Sequence, residues 1–340
     1  MIYLRNDYCG ICHYKILEAL NENINNVYNG YGLDENSKKA EELIIKKIGN
    51  PLSKVYFLAG GTSCNKIFIG HALRPYEAVI AADSGHINVH ETGAIEGAGH
   101  KIIAVKNKIG KITSEDIVDV IKNHTDEHMV KPKMVYISFP TEYGTLYSLE
   151  ELKRIKEECE KNDLYLYIDG ARLGSGLSAY NNDITMNDLA KYSDAFYIGG
   201  TKNGLLFGEA IVINNESLQK DFRYSIKHFG GMLAKGFVTG LMFEKLFADD
   251  LFLKIGKKQN ELAKLITERL SSLNIKLLIE TETNQIFPIF KTEVIEKLRE
   301  EISFEIWEKK EEETVIRFVT HYMLTEDDVN NLEKVLKKII

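Results

Sequence analysis

Four cysteines in 340 residues, at positions 9, 12, 64 and 159, are too few for a disulfide framework, so the chain must hold itself together by burying apolar surface. Two of them stand in Cys9-Gly-Ile-Cys12-His13, the spacing of covalent haem attachment and half that of a zinc site. No second cysteine pair follows to complete a zinc site, and haem attachment of this kind requires export, so these read as plain thiols and no metal site is expected. Basic residues are outnumbered, 43 against 50 acidic ones for a net charge of −7, which leaves no basic stripe for nucleic acid. No apolar run is long enough to span a bilayer. The opening residues, Met1-Ile2-Tyr3-Leu4-Arg5-Asn6-Asp7, lack the charged-then-apolar build of a secretory leader, so the expected location is cytoplasmic. There is no internal repeat and no low-complexity linker. Gly60-Gly61-Thr62-Ser63 lacks the Gly-Lys-Ser/Thr ending of a Walker loop and does not fit G-x-G-x-x-G.

A content of 44% hydrophobic residues is enough to build a large core and supports two domains in a chain of this length. Residues 1–248 read as an N-terminal arm and a large domain, and residues 249–340, richer in long charged helices and short strands, as a smaller C-terminal one. In the first part, helical patterns at His13–Asn23, Glu35–Ile48, Asn65–Leu73, from the Thr113 cap to Asn123, and at Leu149–Lys161 alternate with short apolar runs. Those runs, at Val55–Ala59, Ala78–Ala82, Lys101–Val105, Lys133–Ser138, Leu164–Ile168, Ala195–Ile198 and Glu209–Ile213, have the composition of buried strands. The pattern predicts an α/β fold with a mostly parallel central sheet. In the C-terminal part the patterning predicts helices at Leu253–Leu273 and Glu326–Lys338 and strands at Ile275–Ile279, Gln285–Phe290, Phe304–Lys309 and Thr314–Val319.

Chemistry concentrates where two of the strands stop. Ile168 is followed by Asp169-Gly170-Ala171-Arg172, and Ile198 by Gly199-Gly200-Thr201-Lys202-Asn203-Gly204. In open α/β sheets ligands bind beyond the carboxyl ends of strands, so Asp169 and Lys202 can face one small molecule. An amine that forms a Schiff base and a carboxylate that keeps a pyridine nitrogen protonated are what pyridoxal 5'-phosphate requires. The residues alone leave a plainer alternative: Asp-Gly after a strand is an ordinary turn, and Lys202 a solvated loop lysine. Gly60-Gly61-Thr62-Ser63, between a strand and a helix, places backbone N–H groups at a helix N-terminus and so offers an anion site. Arg317 sits inside an apolar strand and needs a partner such as a carboxylate.

Ile-Asp-Gly-Ala-Arg-Leu followed by Gly-Gly-Thr-Lys-Asn-Gly closely resembles the low-specificity L-threonine aldolases, including their phenylserine aldolase branch, in the beta-eliminating lyase superfamily of fold-type I pyridoxal phosphate enzymes. Gly60-Gly61-Thr62, Asp83-Ser84-Gly85-His86 and Thr141-Glu142-Tyr143-Gly144-Thr145 follow in the same order, and the likeness weakens after about Phe247. The resemblance implies an aspartate aminotransferase-like fold and cleavage of threonine or allo-threonine to glycine and acetaldehyde. Another lyase reaction or transamination on the same fold is the alternative, followed by a catalytically silent scaffold. It further implies Lys202 on the cofactor, Asp169 at its ring nitrogen, Gly61 and Thr62 at its phosphate, and His86 stacked on its ring. Arg172 is implied near the cofactor oxygen and the substrate carboxylate, Arg317 at that carboxylate, and His128 at the substrate hydroxyl, with His86 or His128 as the base. Glu91 matches an acid of the family. Tyr31 would reach the phosphate of a neighbouring subunit, against a plain reading as a packed turn residue, and Lys235 is a candidate second cation. The expected partners are a small amino-acid substrate and further copies of the chain, in a homodimer or homotetramer with active sites between subunits.

Overall fold

Short runs of valine, isoleucine, tyrosine and phenylalanine line up as one seven-stranded sheet in the computed structural model, which describes residues 1–107 and 109–340. The strands are β1 (Lys54–Leu58), β2 (Glu77–Ala82), β3 (Ile102–Val105), β4 (Lys131–Ser138), β5 (Tyr165–Asp169), β6 (Ala195–Gly199) and β7 (Glu209–Ile213). Their order is β1-β7-β6-β5-β4-β2-β3, and of these strands only β7 runs against the others. The expected α/β architecture with a mostly parallel sheet is therefore what the chain forms.

Period two decides which side chain meets which layer. Ile80, Val135, Ile137, Leu166 and Ile168 face one apolar layer, which includes Ile44, Leu152 and Phe243 from the helices Glu35–Ile48, Leu149–Lys161 and Phe237–Ala248. Val79, Met134, Tyr136 and Tyr167 face the other, covered by the helices Gly61–Ala72 and Phe222–His228. The helix Gly61–Ala72 begins four residues earlier than the periodicity of Asn65–Leu73 predicts. Gly61, Thr62 and Ser63 thus form its first turn instead of a loop, with Gly60 as an N-cap that makes no side-chain cap bond.

A second sheet is built from β8 (Gln285–Ile286), β9 (Ile289–Lys291), β10 (Glu305–Lys309) and β11 (Glu313–Val319), with β11 pairing all three others. The strand expected over Gln285–Phe290 is interrupted at Phe287-Pro288, because proline has no N–H to give to a ladder. The strand expected at Ile275–Ile279 does not form; Leu277 makes a single bridge to Pro288. The helix Leu251–Ser272 contributes to two apolar clusters, with Leu251, Phe252 and Ile255 in the large one beside the main sheet and Leu262, Ala263, Ile266 and Leu270 in the smaller one beside the second sheet. The helix lies so close to the helix Leu173–Leu177 that a Cβ on Gly256 would overlap the Gly174 carbonyl. The N-terminal arm crosses the other way: Ile2 and Tyr3 pair with Ile302 and Ser303, and Leu4 is buried in the small core. Among the described residues no helix is long and apolar enough to cross a membrane.

Candidate active site

Asp169 is the last residue of β5, on the same face as Tyr165 and Tyr167 by strand alternation, and so it points toward the layer carrying the helix Gly61–Ala72. Tyr136 reaches it from the neighbouring strand, its hydroxyl donating to Oδ2 at 2.5 Å, and Asn65 from the helix donates to the same oxygen at 3.2 Å. The Ala171 amide donates to Oδ1 at 3.0 Å. The turn that makes this possible needs Gly170, since a Cβ there would overlap the Tyr197 carbonyl of β6. Asp169 is 3% exposed, so these donors replace the water that the carboxylate gives up.

Lys202 lies in the single turn Thr201–Asn203 after β6. Among the described residues no carboxylate lies within ion-pair distance of its ammonium. Burial, followed by the nearby Arg172 charge, pushes its pKa down, which makes the free amine easier to reach. Glu209, at the start of β7, accepts from the Gly200 amide at 2.6 Å and braces the turn that presents Lys202. Burial pushes the Glu209 carboxyl up.

Two arginines border the same space with different company. Arg172 makes a two-point pair with Asp7 of the N-terminal arm, Nε to Oδ2 at 2.7 Å and Nη2 to Oδ1 at 3.0 Å, and Asn284 donates to Asp7 at 3.0 Å. Burial works to raise the Asp7 pKa, but the Arg172 and Lys202 charges and these hydrogen bonds outweigh it and hold the carboxyl below its usual value. The expected site arginine is therefore present but already bound through its guanidinium. Among the described residues no carboxylate lies within ion-pair distance of Arg317: its Nε is shielded from water without a hydrogen-bond partner, and Nη1 reaches the Gln285 side-chain oxygen at 3.5 Å. Burial, with the Arg172 charge beside it, pulls its pKa down, yet a guanidinium remains a cation at neutral pH.

His86 opens the short helix His86–Val89, and its Nδ1 lies 2.8 Å from Glu91 Oε1. Asn65 donates to that same oxygen at 2.7 Å, so Asn65 ties the histidine and its acid to Asp169. The other Glu91 oxygen is buried without a partner. Glu142, whose carboxyl burial pushes up, accepts from Ser138 Oγ at 2.6 Å and from the His86 amide at 2.9 Å, fixing where the histidine starts.

Asp169, Lys202, Glu209, Arg172, Arg317, His86 and Glu142 border one cavity of about 600 Å³, lined also by Gly61 and Thr62 at the uncapped helix N-terminus and by Tyr8, Phe207 and Trp307. Lys202, His86, Asp169, Gly61, Thr62, Arg172 and Arg317 are thus brought together. His128 is not: it is exposed, ahead of the N-terminal end of β4, whereas the cavity lies at the strands' carboxyl ends. Lys235 is exposed and Tyr31 lines a different cavity. Sequence reasoning missed Asp7, Asn65, Tyr136, Glu209 and Trp307. Two of these left a trace, Asn65 as an amide on the buried face of a helix and Glu209 as an acid leading the apolar run Ala-Ile-Val-Ile.

Residues 16–293 match the model of the beta-eliminating lyase family. A threonine aldolase from Leishmania major is 40% identical and superposes with a TM-score of 0.98, over 99% of either chain. The low specificity L-threonine aldolase of Pseudomonas aeruginosa is 28% identical over 300 residues, 87% of this chain and 86% of that protein. An aspartate aminotransferase from Thermus thermophilus is 13% identical with a TM-score of 0.73, covering 100% of this chain and 92% of that one, a likeness of fold alone.

The Asp7–Arg172 pair generates a stability prediction. Asp7→Asn leaves a buried guanidinium without its counter-charge, and urea unfolding at pH 7 is expected to show a loss of about 3–5 kcal/mol. Because the folded-state pKa of Asp7 is depressed, its contribution is complete well above the unfolded-state value of about 3.9 and fades as pH falls through the lower folded value. The difference between the two proteins should hold from pH 8 to 5 and shrink below about pH 4. A difference that stays constant into acid would show that the pair does not carry the charge described.

Proposed function

The chain belongs to the beta-eliminating lyase family, among its threonine aldolases, and we propose that it cleaves the Cα–Cβ bond of β-hydroxy amino acids, L-threonine or L-allo-threonine, to glycine and an aldehyde, with pyridoxal 5'-phosphate as cofactor. The observation that carries this reading is a lysine amine with no ion-pair partner among the described residues, beside a buried carboxylate held by three donors, at the ends of adjacent strands around one cavity.

The residues fit the cofactor. Lys202 supplies the amine for its aldehyde, Asp169 the carboxylate for its ring nitrogen, and the uncapped turn at Gly61 and Thr62 the donors for its phosphate. His86 borders the space its ring would occupy. When bound, the cofactor supplies a conjugated ring that takes up the electron pair released as the Cα–Cβ bond breaks. The protein's part is orientation and proton handling. Arg317 binds the substrate carboxylate, and fixing that end selects which bond at Cα is aligned for cleavage. With Nδ1 of His86 donating to Glu91, Nε2 is left to accept the β-hydroxyl proton. His128, outside the cavity, has no place in this scheme within one chain. Arg172, bound to Asp7, shapes the charge around the carboxylate site instead of holding the carboxylate alone.

We also propose a homodimer or homotetramer. Ile11, Tyr14, Leu17, Ile24, Val27 and Leu33 are exposed along the N-terminal segment and lack a core of their own, and another copy would cover them. Sedimentation of the active protein should give a dimer or larger; a fully active monomer would refute the assembly.

The reaction class is tested by product identification. Incubated with L-threonine, the protein is expected to release equal amounts of glycine and acetaldehyde, faster than it passes an amino group to any keto acid. Ammonia with little aldehyde would mean β-elimination and would replace this reading.

A further inference from the structure

Trp307 is the chain's only tryptophan and the residue of β10 at which the pairing slips. Glu305 pairs with Arg317 and Ile306 with Ile316, and the next pair is Glu308 with Val315, so Trp307 has no partner across the ladder. Regular strands send neighbours to opposite faces, whereas Glu305, Ile306 and Trp307 all border the active-site cavity, which the extra residue of a bulge allows. The indole is wedged edge-on against Tyr143 at 5.1 Å and Phe287 at 5.0 Å between ring centres. The Arg317 guanidinium carbon lies over the indole, 5.4 Å from the ring centre.

The acids whose charge acts on Arg317 are already committed, Asp7 to Arg172 and Glu305 to Arg5 at 2.6 Å. We propose that Trp307 is a positioning residue for substrate recognition: its ring face fixes the Arg317 guanidinium toward the cavity without neutralising it, leaving the charge for the α-carboxylate of an amino acid. A carboxylate in the place of the indole would hold the guanidinium equally well but would compete with the substrate for it. An aromatic face attracts the cation through its quadrupole and offers no acceptor oxygen. The bulge is the backbone device that delivers the ring to that position. This inference rests on the carboxylate-binding role of Arg317 proposed above.

Because Trp307 is the sole tryptophan, its emission reports on Arg317 directly. The purified holoenzyme is titrated with glycine and, separately, with ethylamine, which has the amine without the carboxylate. Glycine is expected to change the emission saturably, ethylamine to leave it unchanged, and Arg317→Gln to abolish the glycine response. Trp307→Phe, which keeps an aromatic face, should hold KM for L-threonine within about threefold, whereas Trp307→Leu should raise it about tenfold with kcat changed less. The titration uses the unaltered chain, so it decides the matter even where the leucine variant does not fold. Unchanged emission with glycine, an equal response to ethylamine, or an unchanged KM in Trp307→Leu overturns the inference. A carboxylate-dependent response in a protein that cleaves no β-hydroxy amino acid upholds the role of Trp307 and rejects the reaction class. Cleavage with no carboxylate-dependent response does the reverse.

Discussion

A carboxylate held almost dry at the end of the central strand β5 is the constraint from which the rest of the site follows. Asp169 needs donors where water cannot reach, and Tyr136, Asn65 and the Ala171 amide provide them. Each donor depends on a larger feature: the parallel register that sets β4 beside β5, the helix packed on that face of the sheet, and the glycine turn that lets the chain double back under β6. Asn65 then extends the same network to Glu91 and His86, so the acid proposed for the ring nitrogen and the histidine proposed for the substrate are braced as one unit.

Charge around the cavity is sorted with equal economy. The N-terminal arm contributes Asp7 to Arg172 and Arg5 to Glu305, closing two ion pairs between segments far apart in the chain. Lys202 and Arg317, by contrast, have no direct ion-pair partner among the described residues, and they are the two cations that the proposed chemistry uses, one on the cofactor aldehyde and one on the substrate carboxylate. An arm that looks peripheral in sequence is thereby part of the electrostatics of the site, and it is tied to the C-terminal part by the pairing of Ile2 and Tyr3 with Ile302 and Ser303.

Much of this was legible in the order of residues. The seven strands of the large sheet and several of its helices follow from apolar periodicity, with Leu149–Lys161, Glu35–Ile48 and Glu209–Ile213 recovered to the residue, whereas the helices Phe222–His228 and Phe237–Ala248, which also cover the sheet, were not anticipated. Asp169 and Lys202 stood out because each follows a buried strand. The C-terminal part was harder, since its strands are short and proline-broken, and the Ile275–Ile279 run forms a single bridge, from Leu277 to Pro288, instead of a strand. Contacts between distant segments left little trace: nothing in the neighbourhood of Asp7 announces Arg172, 165 residues away. His128 shows the opposite error, a histidine at a plausible distance along the chain that the sheet carries to the wrong end of its strand.

The central claim is that Lys202 is the amine that holds the cofactor aldehyde. Borohydride reduction of the purified, cofactor-loaded protein followed by peptide mapping tests it most directly. The account predicts a single pyridoxyl-modified peptide, with the label on Lys202 and colour lost on reduction. Label on any other lysine, or no label in protein that retains activity, would contradict it.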